Sequence, residues 1–208
     1  RKLKFEFHHY SQILSVLLLP LSALLIIYSH EILLIWLNDP MIADNSYIIM
    51  GLILFGTMLN GLPSVPGNCS IGFGWPMLVT YVNLSQLIVI IPLLLWLVSL
   101  YNGVGAAITW VVLNSTYITV LTFIFFKYYL NSEKIKWYLY DIIIPAFSAF
   151  LVVLISRFIF PTFDSRFNMF MWIAFTGIIT FLITALTLPH VRKIIEKQIF
   201  IIKIKILN

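Results

Sequence analysis

The chain has 208 residues, 61% of them hydrophobic and only 10% charged, with a formal net charge of +5. Its mean hydropathy of +1.01 is more than a soluble domain of this length can hide from water, so the composition specifies a polytopic membrane protein. Cys69 is the only cysteine, which excludes an intrachain disulfide.

A bilayer core of about 30 Å needs roughly 20 helical residues. Six spans are predicted in chain order, at 11–37, 47–70, 77–100, 104–126, 141–160 and 168–188. Before them, "RKLKFEFHHYSQ" is not a signal peptide, because a whole span follows without a small-residue cleavage site. The expectation is the C-terminal portion of a longer protein. His8 and His9 are adjacent, so they do not share a helical face and read as a solvated pair rather than a metal site. The long first span carries His30 and Glu31 near its far end, just before Asn38, Asp39 and Pro40. Both are expected at the interface.

The stretch "GLPSVPGNCSIGFGWP" follows. It divides into a tight turn at 72–76 and a bendable, cavity-facing segment whose hinge candidates are Pro63, Pro66 and Gly67. Gly72 and Gly74 permit unusual backbone angles there, and Pro76 can open the next helix. Gly103 and Ala107, four apart in "NGVGAAITW", allow a neighbouring helix to approach closely. Asp141 opens span five, where a carboxylate complements the helix dipole. Arg157, near the other end of that span, either snorkels to the headgroups or attracts an anion.

Eleven of the 13 Lys and Arg fall on one side of the six spans. The positive-inside rule therefore places both termini in the cytoplasm. The net charge is a topology signal rather than a nucleic-acid surface. Residues 1–189 make the helical bundle. Residues 190–208 form a basic tail whose Val191, Ile194, Ile195, Ile199 and Ile202 share one face, as in a helix lying among headgroups.

Enzyme motifs are missing. There is no phosphate-binding glycine loop, no Gly-x-Ser-x-Gly and no His-Glu-x-x-His. No catalytic residue, metal or cofactor is expected. Asn68, Asn83 and Asn114 stand in glycosylation sequons, but they lie in or at the ends of spans and are rejected as acceptors. What remains is polarity inside apolar runs, at Asn60, Asn68, Asn83, Gln86, Asn114, Ser115 and Thr116. An unpaired amide costs several kcal/mol in hydrocarbon (about 4–8 in the extreme). Each must face another helix as interhelical glue or line a wet cavity.

These pieces occur in one order: "ILLIWLND", "SIGFGWPMLVTYVN", "IPLLLWLVSLYNGVGAAITWVVLN" and "WYLYDIIIP". Over nearly its whole length the chain resembles the C-terminal half of bacterial polysaccharide transporters. These are the O-antigen flippases of the multidrug/oligosaccharidyl-lipid/polysaccharide exporter superfamily. The resemblance implies an all-α bundle of about six transmembrane helices, facing a second bundle across a central cavity. It implies passage of an undecaprenyl-pyrophosphate-linked oligosaccharide across the bacterial inner membrane by alternating access, without covalent chemistry. Asn60, Asn68, Asn83, Gln86, Asn114 and Arg157 are the substrate-path candidates, Arg157 for the pyrophosphate. Expected partners are the lipid-linked glycan, the bilayer and other membrane proteins of polysaccharide assembly, with no nucleic acid. Three alternatives stand beside this reading. A cation-coupled multidrug exporter of the same fold needs buried carboxylates, and Glu31 and Asp141 both look terminal. A membrane-embedded polymerase or acyltransferase needs larger outer loops. The third is an accessory subunit.

Overall fold

The computed structural model describes residues 2–161, 163, 165–189 and 191–192. Every element in them is helical, and five helices are long and apolar enough to cross a membrane. The first, α1 (Lys2–Ile27), begins well before the predicted span and ends at Tyr28, whose φ of −98° and ψ of 21° break the helix. α2 (Ser29–Leu37) continues from there to Asn38, whose left-handed φ of 58° ends it. Asp39 then caps α3 (Pro40–Gly61). Its Oδ1 accepts from the backbone N–H of Met41 at 2.9 Å and of Ile42 at 3.2 Å. Pro40 has no N–H to leave unpaired at the helix start.

α3 passes through a break at Leu62 and Pro63 into α4 (Ser64–Gly72). The tight turn expected after it is present. Gly74 takes a φ of +83°, and the Trp75 N–H returns to the Ser70 carbonyl at 2.9 Å. This is the Schellman closure, in which glycine relieves the left-handed position of its steric cost. Gly72, by contrast, belongs to α4 and does not use that freedom.

The next helix, α5 (Met77–Tyr128), runs for 52 residues but reverses at Asn102, where φ is 51° and ψ −129°. The two arms return along each other. Gln86 Nε2 reaches the Leu113 carbonyl and Thr116, while Leu78 and Val82 pack on Leu121. Each arm has about 25 residues, enough for ~30 Å of hydrocarbon. The five long helices thus supply the six crossings read from the sequence. A Cβ on Gly105 would lie 2.0 Å from the Leu97 carbonyl oxygen, so the backbones meet there. The glycine that matters is therefore Gly105, which lies between the two residues of the expected pair. Gly103 meets only the tip of Ile49, and Ala107 is simply buried.

A short α6 (Lys134–Lys136) leads through a wide π turn (Trp137–Ile143) into α7 (Ile144–Phe158). Pro145 cannot donate to the Asp141 carbonyl one turn back. Ser15 Oγ of α1 donates to that carbonyl instead. Asp141 therefore lies inside a helix that has already begun, not at its N-terminus, and the dipole-capping role expected for it is corrected. α8 (Arg166–Thr187) starts where Ser165 Oγ accepts from the Phe167 N–H.

α1 is the centre of the bundle. It packs on α3, α7 and α8, and its Leu19, Ala23 and Leu24 join Tyr28, Met58, Leu62, Ala149, Val153 and Ile173 in the main core. The first arm of α5 has no buried residue from 83 to 104 and forms an outer wall, whereas the second arm buries Ala107, Asn114, Leu121, Phe125 and Phe126. In a bilayer such packing stabilises through close contact and polar pairing, because lipid is as apolar as the core. At one end of the bundle Phe7, Phe125, Phe126, Leu130 and Trp137 form an aromatic plug. Lys2, Lys4, Lys127, Lys134, Lys136 and Arg192 gather around that end, and Arg157 and Arg166 belong to the opposite one. Apart from Val191 and Arg192, the tail lies outside the described residues, and with it the headgroup helix expected there.

Candidate functional site

The amide residues do not converge on a single point. Asn114 is fully buried on the second arm of α5, and its Oδ1 accepts from Asn60 Nδ2 of α3 at 2.7 Å. Beside them Trp110 lies against Gly56 and donates from Nε1 to Thr57 Oγ1 at 3.2 Å. Gln86 ties the two arms of α5 together, donating to Thr116 at 2.9 Å. Asn83 lines a groove beside it with Thr80, Leu87 and Leu113. Asn60, Gln86 and Asn114 thus act as interhelical hydrogen-bond partners.

One face gathers the rest. Thr57, Asn60, Ser64 and Asn68 are all exposed, and their spacing keeps them on one side of α3 and α4. Pro63, Pro66 and Gly67 turn to the opposite, buried side. The hinge residues are therefore packed against protein, and of the segment 63–68 expected to face a cavity only Ser64, Val65 and Asn68 do so. With Ser64 and Tyr10, Asn68 forms the polar edge of a cavity of about 650 Å³ between α1 and α4, walled by Ile13, Leu14, Leu17 and Phe73.

At the basic end, Asp141 is fully buried. It is held by His8 Nδ1 at 2.5 Å and Gln12 Nε2 at 2.8 Å, both from α1. Glu133, in the turn before α6 and outside the spans, is also buried. It accepts from Lys4 at 2.6 Å and Lys136 at 3.1 Å, with His8 Nε2 at 3.4 Å. The Lys4 ammonium, against the opposing effect of burial and with help from Lys136, Ser132 and His8, holds the Glu133 carboxyl down at about 2. His8 is therefore not one of a solvated pair, and sequence reasoning missed this cluster. Its signal was present: Lys4, His8, Gln12 and Ser15 repeat at helical spacing along one stripe of α1.

At the other end, Arg157 Nη1 donates to Glu31 Oε1. The guanidinium also lies over the rings of Tyr28 and Phe160, at 5.7 and 5.1 Å. Glu31 is 5% exposed, so it is buried rather than interfacial, and its Oε2 has no hydrogen-bond partner. His30 does sit nearer the surface, pairing with Asp44 at 2.8 Å. Beside this cluster, Tyr28, Ser156, Thr176 and Trp172 share a hydrogen-bond network linking α7 and α8 to the break after α1.

Together these features define a polytopic, all-helical membrane bundle with a polar face and two charged clusters. Comparison with protein-family models, with curated proteins and with solved structures gives no match for the chain.

Proposed function

We propose that the chain is one bundle of a flippase for lipid-linked oligosaccharides, of the polysaccharide-transporter kind its sequence resembles, rather than an enzyme. The observation that carries this reading is the exposed stripe of Thr57, Asn60, Ser64 and Asn68 on otherwise apolar helices. Thr57, Asn60 and Ser64 already hold bonds within the protein, to Ile53, Asn114 and Gly61, but the further polar capacity they leave exposed, with the Asn68 amide, is costly against lipid, so such a face belongs beside water or a polar cargo. The adjoining cavity has apolar walls and a polar edge, which suits an amphipathic substrate: glycan along the stripe, polyprenyl tail in the bilayer. The break at Leu62 and Pro63 interrupts the helices that carry the stripe, on their buried side, and supplies a bend for alternating access. Arg157, 40% exposed beyond its pairing with Glu31, remains the candidate for the pyrophosphate. The setting proposed is the bacterial inner membrane, with the basic end in the cytoplasm.

A cation exporter of the same fold is less well supported. It needs a carboxylate free to meet its cargo, and Glu31, Glu133 and Asp141 each hold a basic partner in the chain.

The test is complementation of a strain lacking its flippase with the full-length gene. Restored surface glycan is expected. Normal glycan export after deletion of the native gene overturns the proposal. Within a complementing protein, replacing Pro63 and Pro66 with Ala should lower transport while leaving the amount inserted unchanged.

A further inference from the structure

We infer that His8 and Asp141 together form a proton-binding site that fastens α1 to the fifth span at the basic end. Both ring nitrogens of His8 face carboxylate oxygens: Nδ1 lies 2.5 Å from Asp141 Oδ2 and Nε2 3.4 Å from Glu133 Oε2. A neutral imidazole has one N–H and one lone pair, and an ionised carboxylate only accepts. With His8 neutral and both acids ionised, one ring lone pair points at an anionic oxygen. One proton removes this conflict. On His8 it makes both nitrogens donors; on Asp141 it lets the acid donate to Nδ1 while Nε2–H serves Glu133. The proton belongs to the pair in either arrangement.

The surroundings make the proton matter for His8 and Asp141 more than for Glu133. Glu133 keeps Lys4 and Lys136 whatever His8 does. Asp141 is fully buried, and its other side-chain partner is the uncharged Gln12. Without the proton, an anion stays buried with no cation on it, which is strongly destabilising. A cavity of about 240 Å³ lined by His8, Gln12, Lys136, Tyr140, Asp141 and Pro189 adjoins the pair and gives protons access to the partly exposed His8, while Asp141 stays sealed. The groups facing His8 are thus Asp141 of the fifth span and Glu133 of the turn before α6, with the Phe7 ring on its own helix. Lys4 and Lys136 flank Glu133, Pro189 just beyond α8 completes the lining, and Arg192 follows it in the chain. Loss of the proton should therefore let the end of α1 part from the fifth span and admit water to Asp141. This holds whatever cargo the chain carries.

The experiment uses the full chain in lipid nanodiscs with Cys69→Ser. Nitroxide labels replace Leu3 and Ile135, which are 50% and 71% exposed. Electron–electron distances between them are recorded from about pH 5 to about pH 10, a range that brackets histidine titration on both sides. The expected result is one short, narrow distribution at low pH and a growing longer population at high pH. His8→Arg, permanently charged, should keep the short distance throughout, and Asp141→Asn should remove the pH response. A distribution unchanged across the whole range in the parent chain overturns the inference. So does a pH response that persists undiminished in Asp141→Asn or His8→Gln.

Discussion

The two charged clusters sit at opposite ends of the same helix–helix seam, and they are built differently. At the basic end, Asp141 shares a hydrogen bond with His8 and accepts one from Gln12, both of α1, and its carbonyl accepts from Ser15. Glu133 receives Lys4, Lys136 and Ser132. At the other end one oxygen of Glu31 meets the Arg157 guanidinium, with His30 Nδ1 more distant at 3.9 Å, and the second oxygen has no hydrogen-bond partner. A buried acid with several donors resists separation of its helices more than one held through one oxygen by a half-exposed cation. The seam is therefore held by more groups at the basic end than at the far end.

The largest expected effect comes from breaking the tight end. Asp141→Ala strands His8 and Gln12, and it should cost about 3–5 kcal/mol of stability in mixed-micelle unfolding. Asp141→Asn, which keeps an acceptor, should cost less. At the weak end, Arg157→Ala leaves Glu31 buried with only His30 near it, at 3.9 Å. Because the arginine side chain is 40% exposed, solvent screens the pair, and the loss should be about 1–2 kcal/mol. If the two substitutions cost the same, the asymmetry is wrong.

Acid sharpens the same contrast. The Glu133 carboxyl is depressed from 4.5 to about 2. Its contribution is therefore complete above the ordinary carboxylate range and is lost as pH falls from 4.5 toward 2. Glu133→Gln should flatten that acid limb of a pH–stability curve, and an unchanged limb would remove Glu133 from the clamp. The smallest effect belongs to the amide pair. Asn60→Ala and Asn114→Ala in a double-mutant cycle should give a coupling of about 0.6 kcal/mol.

Much of this architecture is legible in the amino-acid sequence. Apolar run lengths are dictated by the thickness of hydrocarbon, so the six crossings and the turn closed by Gly74 can be read directly. Amides in apolar runs must find partners, and Asn60 with Asn114 does. Where the sequence misleads, the partner is distant along the chain. His8 looks solvated because Asp141 lies 133 residues away. Asp141 looks like a helix cap because the helix start at Lys134 gives no apolar signal. Pro63 and Pro66 look cavity-facing because proline marks a break without saying which side of it is buried.

The sequence by itself determined that this chain lives in a membrane, how often it crosses and which end is basic. Those properties follow from local composition measured against a fixed bilayer. Only the tertiary structure decided which polar groups are spent on one another and which remain exposed. That depends on helix rotation and register, which packing between distant segments sets and no local pattern records.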